Sequence, residues 1–111
     1  FQLDKVAAKE AAKRFTKEAK STKISSILQY GSSVKGKLKP DSDIDMLVVL
    51  KKQNKELELK LLDIASKLSS DVNRTLSVTI MSSKEVQTEK NKQFLISVKA
   101  NYEVLYGKTP F

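Results

Sequence analysis

Three of the six aspartates in this chain, Asp41, Asp43 and Asp45, fall within five positions, directly after a segment carrying Lys35, Lys37 and Lys39. On a strand, residues i and i+2 share a face about 7 Å apart at the backbone, so the carboxylates of Asp43 and Asp45 can converge on one cation, or on two ions roughly 4 Å apart. Ile44, between them, then faces the core. Two like charges at the end of a buried strand repel and raise each other's pKa, which makes sense chiefly when a divalent ion neutralises them. Mg²⁺ suits such a place, because it takes a few carboxylates and keeps positions for water and phosphate oxygens. The spacing alone is also that of a solvated turn after Pro40, capped by Asp41. Upstream, Gly31-Ser32-Ser33 follows an apolar run. Backbone N–H groups after Gly31 can form an anion-binding nest or a helix start, the Ser32 hydroxyl can hydrogen-bond a phosphate, and Lys35 adds a positive charge. A phosphate cradle and a carboxylate site on adjacent strand ends make a metal-nucleotide site.

Composition narrows the chemistry further. The 111 residues include no His, Cys or Trp. That excludes disulfides, thiol nucleophiles, Ser-His-Asp triads, zinc fingers and imidazole bases, and leaves oxygen ligands for any metal. The net charge is +8, from 21 basic against 13 acidic residues, yet only Arg14 and Arg74 are arginines. A lysine-dominated surface suits solvated faces better than forked phosphate recognition, so nucleic acid is not indicated by the charge alone. The apolar runs are too short to span a bilayer and no signal-peptide pattern is present, so no membrane association and a cytoplasmic location are expected. The length fits one domain over residues 1–111, enough to bury about 60% or more of its unfolded surface.

The elements that must position the aspartates can be read from periodicity. Leu3, Val6, Ala7, Ala11, Phe15 and Ala19 recur at three- and four-residue steps and predict an amphipathic helix from Leu3 to Lys20. A short strand from Ile24 to Tyr30 stops at Gly31. Gly31 to Pro40 reads as a loop with one helical turn beginning at Ser32 or Ser33. A strand from Ser42 to Leu50 starts alternating and ends apolar on both faces, as in the middle of a sheet. Asn54 can cap a second helix with Leu57, Leu61, Ile64, Ala65 and Leu68 buried, closed by Ser69-Ser70. Thr75 to Met81 alternates as a third strand, with Leu76, Val78 and Ile80 on one face and Ser77, Thr79 and Met81 on the other. Ser82 or Ser83 caps a last helical region carrying Phe94, Leu95 and Val98, and Tyr102 to Tyr106 forms a final strand. Tyr30 and Tyr106 end strands at core margins, where either could stack on a base. Lys5, Lys9, Lys13 and Lys17 form a ridge that reads as a solvated face.

With these pieces in place, Tyr30-Gly31-Ser32-Ser33-Val34-Lys35-Gly36, followed by Pro40-Asp41-Ser42-Asp43-Ile44-Asp45-Met46-Leu47-Val48-Val49, resembles the signature of the DNA polymerase beta-type nucleotidyltransferase superfamily. The match is closest to its small single-domain "minimal nucleotidyltransferases" of archaea and bacteria, and Tyr102-Glu103-Val104-Leu105-Tyr106-Gly107 is similar to their ending. The resemblance implies an α/β (α+β) fold, a small mixed sheet flanked by helices. It also implies a Mg²⁺-dependent transfer of a nucleoside monophosphate from a nucleoside triphosphate, ATP first among them, to a hydroxyl acceptor. Gly31, Ser32, Ser33 and Lys35 would meet the phosphates, Lys35 standing where an Arg is often found, and Asp43 and Asp45 would be the catalytic acids ligating two Mg²⁺ ions. Asp41 would help at the turn.

The chain departs from the pattern at one point. Active members usually carry a third carboxylate on the strand at Thr75 to Met81, on the face opposite the core, where this chain has Ser77, Thr79 and Met81. Asp71 and Glu85 could substitute only if the chain bends them in. The resemblance therefore also implies an alternative: an antitoxin or partner-binding protein with weak or lost catalysis. Minimal nucleotidyltransferases are often encoded beside a small helical partner, and a chain of this length leaves no room for both halves.

Overall fold

The computed structural model describes residues 2–35 and 42–111, with side chains from Lys5 onward. Lys37, Lys39 and Asp41, singled out above, lie outside the described residues. The elements run α1 (Gln2–Ala19), β1 (Ile24–Tyr30), α2 (Ser32–Lys35), β2 (Ile44–Leu50), α3 (Lys55–Val72), β3 (Leu76–Ser82), α4 (Ser83–Val86), a 3₁₀ turn (Glu89–Asn91), α5 (Lys92–Ala100) and β4 (Tyr102–Gly107). The four strands form one mixed sheet in the order β3-β2-β1-β4. β1 is antiparallel to both β2 and β4, and β3 is parallel to β2, the two being joined through α3. The expected mixed sheet flanked by helices is the fold of this chain.

Side-chain alternation splits the core into two layers. Ile44, Met46, Val48 and Leu76 face α1 and α3, where Phe15, Leu61, Ala65 and Leu68 cover them. Leu28, Leu47, Val49 and Met81 face the other way, against Leu95 and Val98 of α5. Each large side chain buried in this way contributes about 1.5–3 kcal/mol, so the two central strands are the most firmly held part of the molecule. Irregular pairing near Ser26 and between Ile27 and Leu28 lets β1 keep Ile24 and Ile27 on one face and Leu28 on the other.

Three expectations need correction. The buried stripe of α1 runs through Ala8, Ala11, Ala12, Phe15 and Ala19, whereas Val6 is 56% exposed and Ala7 is also exposed. The large neighbour Phe15, rather than Val6, sets the face that docks, and alanines fill the close approach to the sheet. Second, Ser69-Ser70 does not close α3. The Ser69 hydroxyl donates back to the Ala65 carbonyl at 2.7 Å and the helix runs on. It ends at Asn73, whose left-handed backbone (φ 54°) lets its N–H reach the Ser69 carbonyl. Third, β2 begins at Ile44, whose N–H bonds the Thr75 carbonyl at 2.8 Å, so Asp43 stands just ahead of the strand instead of within it. At the other end of α3, Asn54 caps as expected, accepting the Leu57 N–H at 3.0 Å. Ser82, not Ser83, caps the last helical region, in a reciprocal box with Glu85. No helix among the described residues is long and apolar enough to cross a membrane.

Candidate active site

The ends of the two central strands bring the sequence motifs together. β1 finishes at Tyr30, which is in register with Asp45 near the start of β2, and on its other side Asp45 is in register with Ser77 of β3. Asp45 thus sits between Tyr30 and Ser77, on the α5 side of the sheet at the margin of the second core layer. Ile44 turns into the first layer and Asp45 away from it, while Asp43, ahead of the strand, lies close enough for its charge to act on the Asp45 carboxyl. Asp43 is exposed and Asp45 half-buried. Burial pushes the Asp45 carboxyl above the usual carboxylate range, and the neighbouring Asp43 charge pushes the same way.

Gly31 follows Tyr30 with φ +79°, a conformation that favours glycine. A Cβ placed on Gly31 would meet Asp45 Oδ2 at 3.0 Å, so the glycine turn lies directly against the carboxylate and its missing side chain keeps the space beside that oxygen open. The Gly31 N–H donates to the Asn101 carbonyl at 3.0 Å, tying the turn to the end of α5, and the Gly31 carbonyl accepts the Val34 N–H at 3.1 Å. The single-turn helix α2 follows at once. Ser32 and Lys35 are exposed on it.

Ser33 is different. It is fully buried, accepts from Gln29 Nε2 at 3.0 Å and reaches the Tyr30 carbonyl at 3.4 Å. Its hydroxyl holds the turn together from beneath and does not face the carboxylates. Gln29 is a residue sequence reasoning missed. It is a buried amide on the α1 and α3 side of the sheet, and a lone Gln in an otherwise apolar strand was the available signal.

Tyr30 is also more than a margin residue. Its ring meets Phe94 edge-on at 5.7 Å between centroids, and its hydroxyl reaches across β2 to hydrogen-bond Thr79. Burial raises its phenol above the ordinary value, the Thr79 bond pulls the other way, and the Asp45 charge adds to the rise.

No third acid joins this group among the described residues. Asp71 pairs with Arg14 at 3.5 Å on the helical layer, and the Glu85 carboxylate accepts the Ser82 N–H at 3.0 Å. Neither bends into the site. The donor set therefore consists of two carboxylates, with Ser77 beside Asp45 and open space beside Gly31. That set fits one Mg²⁺ carried in with a triphosphate, since the ion takes its remaining ligands from phosphate and water.

A mixed four-stranded sheet with helices on both faces, carrying a carboxylate against a glycine turn where its two central strands meet, is the layout of a nucleotidyltransferase-fold domain. Residues 10–109 match the family model described as polymerase beta, nucleotidyltransferase, and the chain belongs to that family. Among solved structures it is similar to spectinomycin adenyltransferase AAD(9) from Enterococcus faecialis with ATP and spectinomycin, with a TM-score of 0.65 and 17% identity over 92% of this chain and 56% of that one. It is similar to a toxin-antitoxin chain crystallised with AMP-PNP, with a TM-score of 0.59 and 19% identity over 90% of this chain and 73% of that one. A chain of the toxin-antitoxin MntA-HepT gives a TM-score of 0.53 and 17% identity over 97% and 74%. No curated protein matches the sequence.

Proposed function

We propose that this domain binds a nucleoside triphosphate as its Mg²⁺ complex and transfers the nucleoside monophosphate to a hydroxyl acceptor. The observation that carries the reading is Gly31 packed against the Asp45 carboxylate, which puts a turn suited to phosphate in contact with an acid suited to the ion. Gly31 and Ser32 would receive the β- and γ-phosphates, and Lys35 would add a point charge at the end of α2. Asp43 and Asp45 would hold the metal. Ser33 contributes through the turn it braces. In the reaction the acceptor oxygen bonds to the α-phosphorus while the bond to pyrophosphate breaks, and the hydroxyl proton leaves to solvent. Bound Mg²⁺ supplies the charge neutralisation that this displacement needs. Family membership supports the reaction class, and the ATP and AMP-PNP named with the two similar structures support ATP as the nucleotide. Isothermal titration with MgATP tests it. Binding to the unmutated protein is expected, with loss in Asp43→Asn and Asp45→Asn; no binding, or equal binding to the variants, refutes the reading.

One observation favours a second reading, a partner-binding antitoxin-like protein with weak or lost catalysis. Ser77, beside Asp45, stands where a third acid would complete the site. The similarity to toxin-antitoxin chains supports a protein partner, which the resemblance implies to be small and helical. Ser77→Asp with an assay of pyrophosphate release separates the two. A gain identifies an enzyme that lacks one ligand, and an unchanged zero favours the partner-binding scaffold.

A further inference from the structure

The pole of the sheet opposite Asp45 carries a concentration of charge that the nucleotide site does not use. The turn from Lys20 to Lys23 enters β1, and the segment from Lys51 to Asn54 leaves β2; the Lys51 N–H donates to the Lys23 carbonyl at 3.0 Å and locks the two side by side. Lys20, Lys23, Lys51, Lys52 and Lys55 are all exposed there. Among the described residues none of the five takes part in an ion pair, so their charges are not offset locally. Two adjoining clefts of about 320 and 370 Å³ open on this pole and share Lys23 and Asn54. Glu56 is the one carboxylate on their walls, and Lys60 lines the same cleft.

Four like charges on two locked segments, with Lys55 next to them at the start of α3, repel one another, and a polyanion would relieve that repulsion. The exposed large apolar residues of the described chain, Val6, Leu59, Leu62, Ile96 and Phe111, are all absent from the cleft walls. A protein partner normally buries an apolar patch at the centre of its interface; here Leu57 is the one apolar side chain on the cleft walls and the rest are lysines, Glu56 and uncharged polar residues, which fits a repeating phosphate better than an acidic protein. Lysines without arginine forks attract phosphate as point charges and do not read bases.

We propose that this pole is a second binding surface, for the phosphate backbone of single-stranded nucleic acid irrespective of sequence. It lies the length of β2, seven residues or about 20 Å, from Asp45, so a strand held here leaves the nucleotide site open. The inference stands independently of the proposed transfer reaction.

Fluorescence anisotropy with labelled 20-nucleotide poly-dT and poly-U, titrated with the full chain between 50 and 300 mM KCl, tests it. Five phosphate contacts give a slope of log affinity against log salt of about −3.5. Lys23→Gln/Lys51→Gln/Lys52→Gln leaves two contacts, so the slope falls to about −1.4 and affinity at 0.1 M salt drops about 100-fold. The corresponding triple Arg variant retains binding, and Lys5→Gln/Lys13→Gln/Lys17→Gln on α1 leaves slope and affinity unchanged. MgATP titration of the Gln variant at the cleft stays as for the unmutated chain, which separates this surface from the nucleotide site. Failure to bind either oligonucleotide at 50 mM salt overturns the proposal. So does equal loss from the α1 variant, which would mean diffuse charge, or binding of polyglutamate without oligonucleotide, which would mean an acidic protein partner.

Discussion

Gly31→Ala inserts one methyl group between the phosphate-binding turn and the Asp45 carboxylate. At φ +79° an alanine pays a left-handed backbone cost of about 1–2 kcal/mol. Its Cβ would stand 3.0 Å from Asp45 Oδ2, while the next atoms of that side chain are 3.9 Å away. Oδ2 is the far end of a rotatable side chain, so the contact is relieved by swinging the carboxylate and adds little to the backbone cost. For a domain of this size the melting temperature should fall by about 5–10 °C. The swing, however, takes the carboxylate from the place where it would hold the ion, so MgATP affinity should fall at least about ten-fold, or 1.4 kcal/mol. Gly107→Ala supplies the control. Its φ is +77°, and a Cβ there would sit 2.0 Å from the Ser25 carbonyl oxygen, a backbone atom that cannot turn aside. β4 must then part from β1, so stability should fall further than in Gly31→Ala. Yet Gly107 pairs with Ser26, towards the far end of β1 from Asp45, and the folded protein should bind MgATP normally. The two variants therefore rank in opposite orders by thermal melting and by calorimetric titration, both measured at a temperature where each is folded. A Gly31→Ala protein with the expected melting shift and unchanged MgATP affinity would refute the placement of the site.

Three further outcomes follow from the same geometry. Because the folded-state pKa of Asp45 is raised, the folded protein holds that proton more tightly than the unfolded chain; the cost of the charge is present in full above the folded pKa and is relieved as pH falls through it. Asp45→Asn should therefore be more stable than the unmutated chain at pH 7 in metal-free buffer, by an amount that solvent screening of this half-exposed group keeps small. The advantage should shrink as pH falls through the folded-state pKa and be gone once the carboxyl is protonated in the unfolded chain as well, and melts from pH 3.5 to 8 showing no gain at pH 7 would contradict this. Thr79→Val removes the bond that lowers the Tyr30 phenol. Its ultraviolet titration, identified by difference against Tyr30→Phe, should move to higher pH with a loss of about 1 kcal/mol in stability. Asn73 holds the left-handed position that ends α3, so Asn73→Ala should cost about 1 kcal/mol in urea unfolding while Asn73→Gly costs nothing or stabilises.

What could be read from the sequence was whatever depends on neighbours along the chain. The four strands, the cap at Asn54, the stripe of α3 and the two faces of β3 all follow from local period and turn chemistry, and the structure has them. The stripe of α1 was misplaced because its docking face is built of alanines, whose weak hydropathy cannot outvote Val6, and close packing on a sheet prefers small residues there. Ser69-Ser70 suggested an end to α3 because serine favours termini, yet a serine that bonds back to the carbonyl four residues earlier stays helical. The candidate site divides along the same line. The spacing of Asp43 and Asp45 is local and legible, but the contacts of Asp45 with Gly31, Tyr30 and Ser77 are matters of strand register, which residue types do not disclose. Register also separates two positions that looked equivalent. Ser77 and Thr79 share a face, but Ser77 lies beside Asp45 whereas the Thr79 hydroxyl is engaged by Tyr30. An acid at Ser77 would join the carboxylates without breaking an existing bond. An acid at Thr79 would set a second negative charge against the Tyr30 phenol, so only the first substitution can test whether a single missing ligand separates this chain from a working transferase.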